Sequence, residues 1–398
     1  MRDAYFDNNA TTPALPQVVE AMTARLAIGF GNPSSACRRG REAKTAIEAA
    51  RASVARLFAC APSEIVFTSG GTEGDNNAIF GLCGSNDHII TSAIEHHAIL
   101  KSCRAFERQG GKVTILPADG GGRIDPDAVR KALRPETRLI SLMMANNETG
   151  VLQPVEEIGR IAAETDIWFH TDAVQAAGKV PISVDGILCD LLCISAHKIH
   201  GPQGVGALYV RRGTPLKPMI HGGSQERGRR AGTENLAGIV GLGLAAEAAL
   251  AGLADGTMAR IQTWRDRLET TLAETLDAIA INGGKSPRVG NTTSLYLEDI
   301  LAEAVVVALD QMGVSVSAGS ACSTGSRDPS HVLMAMGLGA QRARSTIRIS
   351  IGKQNTEDDM DYLLSALTEV THSLRDASPL YQRKLQDRRT HAVRKGIT

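Results

Sequence analysis

Between residues 45 and 210, short apolar runs alternate with stretches of helical period, and this alternation limits the fold more than any other feature of the chain. Ile65-Val66-Phe67 reads as a strand and Thr72–Leu82 as a helix. Strands at His88–Ser92 and Lys112–Leu116 flank a helical 97–109, and strands at Leu139–Met144 and Ile167–His170 flank a helical 154–164. Asp190–Ile194 is a further apolar strand. Continuous apolar strands separated by helices predict an α/β fold with a mostly parallel sheet covered on both faces. Ligands of such sheets sit beyond the carboxyl ends of the strands, so the residues just after each strand are where chemistry is expected.

The pattern changes after residue 230. Residues 234–254 are rich in Ala, Gly and Leu and read as a buried helix, with a second helix at 258–277. Strands near 292–297, 314–317 and 346–350, with helices near 300–312 and 357–375, make a smaller α+β unit. A chain of 398 residues has room for two such units. The division read here is a large domain at 15–255, a small domain of 1–14 with 256–378, and a tail at 379–398. The tail carries Arg383, Lys384, Arg388, Arg389, Arg394 and Lys395 against Asp387, and reads as a solvated segment.

Lys plus Arg balances Asp plus Glu at 43 each, so net charge offers no general attraction to nucleic acid or a membrane surface. No apolar run is read as reaching the roughly 18 residues a bilayer span needs. The start passes at once into polar Asp7-Asn8-Asn9, so no secretory signal is expected. The seven cysteines, at 37, 60, 83, 103, 189, 193 and 322, are odd in number and scattered. That usage fits a reducing cytoplasm rather than a disulfide framework, and no spacing suggests a metal site. Cys189 and Cys193 lie in an apolar stretch and read as small core residues. Gly241-Leu-Gly243-Leu-Ala-Ala246 resembles a dinucleotide fingerprint but sits inside a helical pattern after no strand. Gly284-Lys285-Ser286 lacks the earlier glycine of a phosphate-binding loop, because Ile279 stands there.

The chemistry-bearing residues cluster at strand ends. Ser195-Ala196-His197-Lys198 follows strand 190–194, and Asp172, with Gln175 after it, closes strand 167–170. A carboxylate there suits a pyridinium nitrogen, and a nearby lysine amine suits a carbonyl cofactor. Ser69-Gly70-Gly71-Thr72 opens a helix, either as an anion cradle or simply as a tight turn with a Thr cap. His96 lies just past strand 88–92, where it is either a proton carrier or an ordinary loop residue. Asn147 follows strand 139–144 in the same way. Arg348 is a charge in an apolar strand, which calls for a carboxylate partner. Cys322, in Ser317-Ala-Gly-Ser-Ala-Cys322-Ser-Thr-Gly-Ser326, is the one cysteine in a small, polar, glycine-flanked setting. It is expected to be an accessible thiol on a mobile loop.

Taken together these stretches resemble the cysteine desulfurases. The matching segments are Tyr5–Thr12, Phe67–Glu73, Asn146–Gly150, His170–Gln175, Ser195–Lys198, Gln225–Asn235 and Gly319–Ser326, in matching order from residue 4 to about 375. The resemblance implies the fold type I architecture of pyridoxal-phosphate enzymes: a large domain with a mostly parallel seven-stranded sheet, and a smaller α+β domain. It also implies a homodimer with sites at the subunit interface.

By the same resemblance, Lys198 tethers pyridoxal 5'-phosphate, Asp172 pairs with its ring nitrogen, Gln175 donates to its ring oxygen and His96 stacks on the ring. Gly71, Thr72, Ser195 and His197 would hold the phosphate, with Thr233 reaching in from the other subunit. Asn147 and Arg348 would hold the carboxylate of L-cysteine. Cys322 would take the sulfur as a persulfide for an iron–sulfur scaffold or another acceptor protein. Two positions depart from the family pattern: Ala196 replaces a common glycine, and Cys37 stands where a histidine is usual. Selenocysteine lyase, or another pyridoxal-phosphate reaction on the same fold, is the alternative.

Overall fold

A computed structural model describes residues 2–319, 328–379 and 381–384. The chain opens with a two-residue strand, β1 (Ala4–Tyr5), then helices α1 (Pro16–Ala27) and α2 (Arg38–Phe58). The alternating section runs β2 (Ile65–Thr68), α3 (Gly71–Leu82), β3 (His88–Ser92), α4 (His97–Arg108), β4 (Lys112–Leu116), α5 (Pro126–Ala132), β5 (Thr137–Ser141), α6 (Val155–Glu164) and β6 (Trp168–Asp172). It ends with a single-turn α7 (Val184–Ile187), β7 (Leu191–Ser195) and β8 (Gly206–Val210). Two long helices follow, α8 (Leu236–Ala254) and α9 (Thr257–Thr275). The remainder is β9 (Ile279–Ile281), β10 (Thr292–Leu297), α10 (Ala302–Gln311), β11 (Val314–Ser315), β12 (Ser317–Ala318), α11 (His331–Ala335), α12 (Gly339–Arg344), β13 (Thr346–Ser350) and α13 (Glu357–Asp376).

The large sheet has seven strands in the order β2-β8-β7-β6-β5-β3-β4. Only β8 runs against its neighbours, so β2 and the five parallel strands end on the same edge. Every residue of β3, β7 and β8 is buried, as a sheet covered on both faces requires. Edge strand β4 is the exception, with Lys112 and Ile115 exposed. A second, four-stranded sheet, β12-β13-β10-β9, is antiparallel throughout, and β1 pairs in parallel with β11.

Helix α8 corrects one expectation. Its 19 residues are apolar enough, by length and composition, to cross a bilayer. Here it is a core helix that packs on α1 and α2. The glycines of the false nucleotide fingerprint serve this packing. A Cβ on Gly243 would lie 2.7 Å from the Ala50 backbone on α2, so only glycine permits the approach.

Arg51 of α2 is buried, and its fork meets both carboxylate oxygens of Glu226 at 2.8 Å. The same carboxylate accepts from Phe67 N, and Arg51 also donates to Ile65 O. One ion pair therefore ties α2, β2 and the 225–228 turn together. Glu226→Gln leaves the buried guanidinium without its main counter-charge and should cost about 3 kcal/mol, read as a lower urea midpoint. Glu48, half exposed at 3.2 Å, is too solvated to replace Glu226.

Candidate active site

A cavity of about 540 Å³ opens at the carboxyl edge of the large sheet. Its walls come from the segments that follow five strands. The β2–α3 link gives Ser69, Gly71 and Thr72; β6 gives Asp172 and Gln175; β7 gives Ser195, His197 and Lys198. His96 comes after β3, and Asn147 after β5. Arg348, from β13 of the smaller sheet, and Asn9, from the N-terminal segment, complete it. Ten sequence-named residues thus meet in one space. Thr233 does not; it is exposed on the segment before α8. Cys322 lies outside the described residues. Cys37 is exposed at the start of α2 and does not line the cavity.

One end of the cavity is built for an anion. Helix α3 begins after Gly70 with no side-chain cap, so its first backbone N–H groups lack an internal acceptor. Gly71 and Thr72 line the cavity there, beside the Ser195 hydroxyl and the His197 ring.

The centre holds the titratable groups. Lys198 follows β7 through one tight turn, and its Nζ donates to Asn9 O at 2.6 Å and Ala10 O at 2.7 Å. Asp172 closes β6 and accepts from Val174 N at 2.8 Å. Burial pushes Asp172 up to about 6, against the pull of the Val174 N–H and the Lys198 ammonium. Asp75 of α3 is buried beside it and is held well above the usual carboxylate range, by burial first and then by Asp172. Of the two, Asp75 keeps the proton and Asp172 the charge. The Cys193 thiol donates to Asp75 at 2.7 Å, and His170 Nε2 lies 3.6 Å from the same oxygen. Among the described residues these three form the one group with a metal-ligand set, but two of them, Cys193 and Asp75, are already joined by a hydrogen bond. Cys193, read as a plain core residue, is therefore part of a polar cluster under Asp172.

His96 caps α4: its Nδ1 accepts from Ala98 N at 3.1 Å. Burial, then the Lys198 charge, lower its pKa to about 4. It is a neutral ring with its proton on Nε2, so it can donate a hydrogen bond there. His331, which sequence reasoning missed, stacks on His97 with ring centroids 4.6 Å apart. It also meets Glu95 O at 2.9 Å.

At the far end, Arg348 is buried and donates to Asp7 Oδ1 at 2.7 Å and Asn147 O at 3.0 Å. The carboxylate expected beside Arg348 is thus supplied within the chain by Asp7. Arg348 Nε and Asn147 Oδ1 are both buried with no partner among the described residues. Those orphaned atoms suit a small zwitterion, and the whole donor set suits a planar ring bearing a basic nitrogen and an anionic arm. Asn9, Asp7 and Asp75 were not singled out from sequence, although Asp7 and Asn9 fall within the matching Tyr5–Thr12 run.

The raised Asp172 has a stability consequence. An unfolded aspartate titrates near about 3.9, so between about 4 and about 6 the folded, ligand-free chain holds a proton that the unfolded chain has lost. Stability therefore falls as pH rises through that window, by up to about 3 kcal/mol from this group. Asp172→Asn should flatten that part of the curve, checked by chemical unfolding of both chains at several pH values.

Residues 4–363 match the family model described as aminotransferase class-V. The cysteine desulfurase IscS of Dictyoglomus turgidum is 46% identical over 385 residues, covering 96% of this chain and 98% of that protein. A solved structure described as a NifS-like protein superposes with a TM-score of 0.86 at 38% identity, covering 94% of this chain and all of the other. Another, described as SspA in complex with cysteine, gives 0.78 at 38% identity over 89% of this chain and all of the other.

Proposed function

The chain belongs to the class-V aminotransferase family, and from that premise we propose that it is a cysteine desulfurase that takes sulfur from L-cysteine, leaves L-alanine and carries the sulfur as a persulfide on Cys322. The observation that carries this reading is the meeting of Lys198, Asp172, Gln175 and the uncapped start of α3 in one cavity, with Arg348 and Asn147 at its far end.

The cofactor in this reading is pyridoxal 5'-phosphate, whose fit rests on the donor set just described. When bound, it supplies a carbonyl for amines and a cationic ring nitrogen that withdraws electrons from the substrate α-carbon. Gly71, Thr72, Ser195 and His197 take the phosphate, Asp172 the ring nitrogen, Gln175 the ring oxygen, and His96 covers the ring. Arg348 and Asn147 orient the substrate carboxylate. The freed Lys198 Nζ takes the α-proton and returns it. The Cys322 thiolate forms a bond to the substrate sulfur as the carbon–sulfur bond breaks, its electrons remaining with carbon. His96 is the proton carrier in this reading, passing to the departing product the proton that the Cys322 thiol gives up. The atoms balance: a thiol and cysteine give a persulfide and alanine.

The protein works as a homodimer in this reading, with the exposed Thr233 completing the phosphate end of the partner's cavity. The large domain is 15–255, and 1–14 with 256–378 form the small one. An iron–sulfur scaffold or another sulfur-accepting protein receives the persulfide, with no direct role for nucleic acid or membrane. All six described cysteines are free thiols, which fits a cytoplasmic setting. Of the basic tail, Lys384 meets Asp299 at 2.8 Å and Glu298 at 3.3 Å.

Purified protein given L-cysteine and a reductant should release alanine and sulfide in equal amounts. Lys198→Ala should lose the visible absorbance of lysine-bound cofactor. Cys322→Ala should keep that absorbance while sulfide release falls about 1,000-fold or more, as loss of a nucleophile does. Undiminished sulfur release by Cys322→Ala would favour selenocysteine lyase or another reaction on this fold.

A further inference from the structure

Lys179 is a second lysine in the same interior, and nothing in the reaction just described uses it. It lies four residues after Gln175 in the turn that follows β6. The turn is helical in its hydrogen bonding, with Ala177 N on Ala173 O and Val180 N on Ala176 O. A spacing of four in such a turn puts both side chains on one side. Lys179 Nζ donates to Gln175 Oε1 at 2.6 Å and to Asn9 Oδ1 at 3.3 Å. Gln175 Nε2 in turn donates to Asn9 O at 2.9 Å, the carbonyl that also accepts from Lys198 Nζ at 2.6 Å.

This chain of contacts settles which way the Gln175 amide faces. In the flipped orientation, the amide NH₂ would meet the Lys179 nitrogen, donor against donor. The amide oxygen would then meet the Asn9 carbonyl, acceptor against acceptor. Lys179 therefore commits the Gln175 oxygen to itself and turns the N–H side to Asn9, leaving the second amide hydrogen for a cavity ligand. The titratable groups around Lys179 are Lys198, Arg348, His200 and Lys353, and none of its hydrogen-bond partners is a carboxylate. Burial, then the Lys198 and Arg348 charges, lower Lys179 to about 7. The ammonium can only donate and so fixes the amide; the amine can also accept, and in that form the Asn9 carbonyl forbids the flip.

We infer that Lys179 is a positioning residue of the desulfurase reaction: it fixes the Gln175 amide so that an N–H, never the oxygen, is presented to the ring oxygen of the cofactor. This rests on the cysteine desulfurase reading. A donor held at that oxygen shifts the proton affinity of the cofactor–lysine linkage, which is read as the pH midpoint of the visible band of the holoenzyme.

Lys179→Met keeps the apolar stem and removes the donor. It should move the midpoint by about half a pH unit or more and lower kcat about tenfold, with KM changed less than about twofold. In a Gln175→Ala background the same substitution should change neither, because the amide it orients is gone. Should Lys179→Met fail to fold, Lys179→Leu is compared in the same two backgrounds. A wild-type midpoint in the single variant, or equal effects with and without Gln175, overturns the inference. If wild-type holoenzyme shows the visible band but forms no alanine from cysteine, the desulfurase reading fails instead.

Discussion

The main-chain carbonyl of Asn9 is the point on which the site depends. It accepts from both Lys198 and Gln175, residues that close two neighbouring strands of the large sheet. The rest of Asn9 is held from the other side: its N–H donates to Ser350 Oγ at 2.9 Å and its side chain to Thr292 Oγ1 at 2.9 Å. Those partners belong to β13 and β10 of the smaller sheet. A short N-terminal segment thus brings the smaller sheet, and with it Arg348, over the strand ends of the larger one. The Arg348 end of the cavity and Lys198 belong to separate parts of the sequence, joined at one peptide group.

Burial is the second constraint. The interior around the cavity holds Asp75, Glu95, Asp172 and Glu148, each raised by desolvation. Glu95 is pushed up to about 8 although it accepts from Ser92 and from Met143 N. Glu148, raised to about 7, accepts from Ser330. Neutral carboxyl groups of this kind are inexpensive to bury and can donate as well as accept. Asp172 keeps its charge because Lys198 and the Val174 N–H both favour the ionised form, and Asp75 takes the proton the pair must hold. The same low dielectric keeps His96 and His197 neutral.

Much of the large sheet was legible because a parallel strand buried on both faces must be continuously apolar, and a helix between two such strands must show its own period. β3 and β4 fall where the periodicity places them. β5 and β6 are offset by two residues or so, because residues 142–144 keep an extended course: Leu142 and Met144 bond to β6 beyond the point where the strand formally ends. β8 was missed. Gly206–Val210 is apolar and flanked by glycine, but it follows the lysine turn with no helix between, so the alternating rule does not reach it. The strand expected at 314–317 is two pairs of residues that bond to different partners, β1 and β13. The site was legible wherever a polar residue closes a strand, as Asp172, Ser195 and Lys198 do. It was not legible where the partner lies far away in sequence: Asp7 meets Arg348 across 341 residues. Spacing within an element carries no information about such a contact.

The distribution of thiols bears on which cysteine can act. A nucleophilic sulfur needs access and a usable thiolate fraction. Burial pushes Cys60, Cys83 and Cys103 up to about 12, and raises Cys189 and Cys193 further. A thiol of that kind holds almost no thiolate at neutral pH, and none of the five opens on the cavity. Cys193 comes nearest, but its hydrogen is given to Asp75 and its sulfur lies within the sheet. Cys37 is exposed, yet it stands at the start of α2 and also does not line the cavity. The seventh cysteine, Cys322, follows β12, and β12 pairs with the very strand that carries Arg348, with Ser317 opposite Arg348 itself. β12 therefore ends beside the residue proposed to hold the substrate carboxylate, four residues of sequence before Cys322.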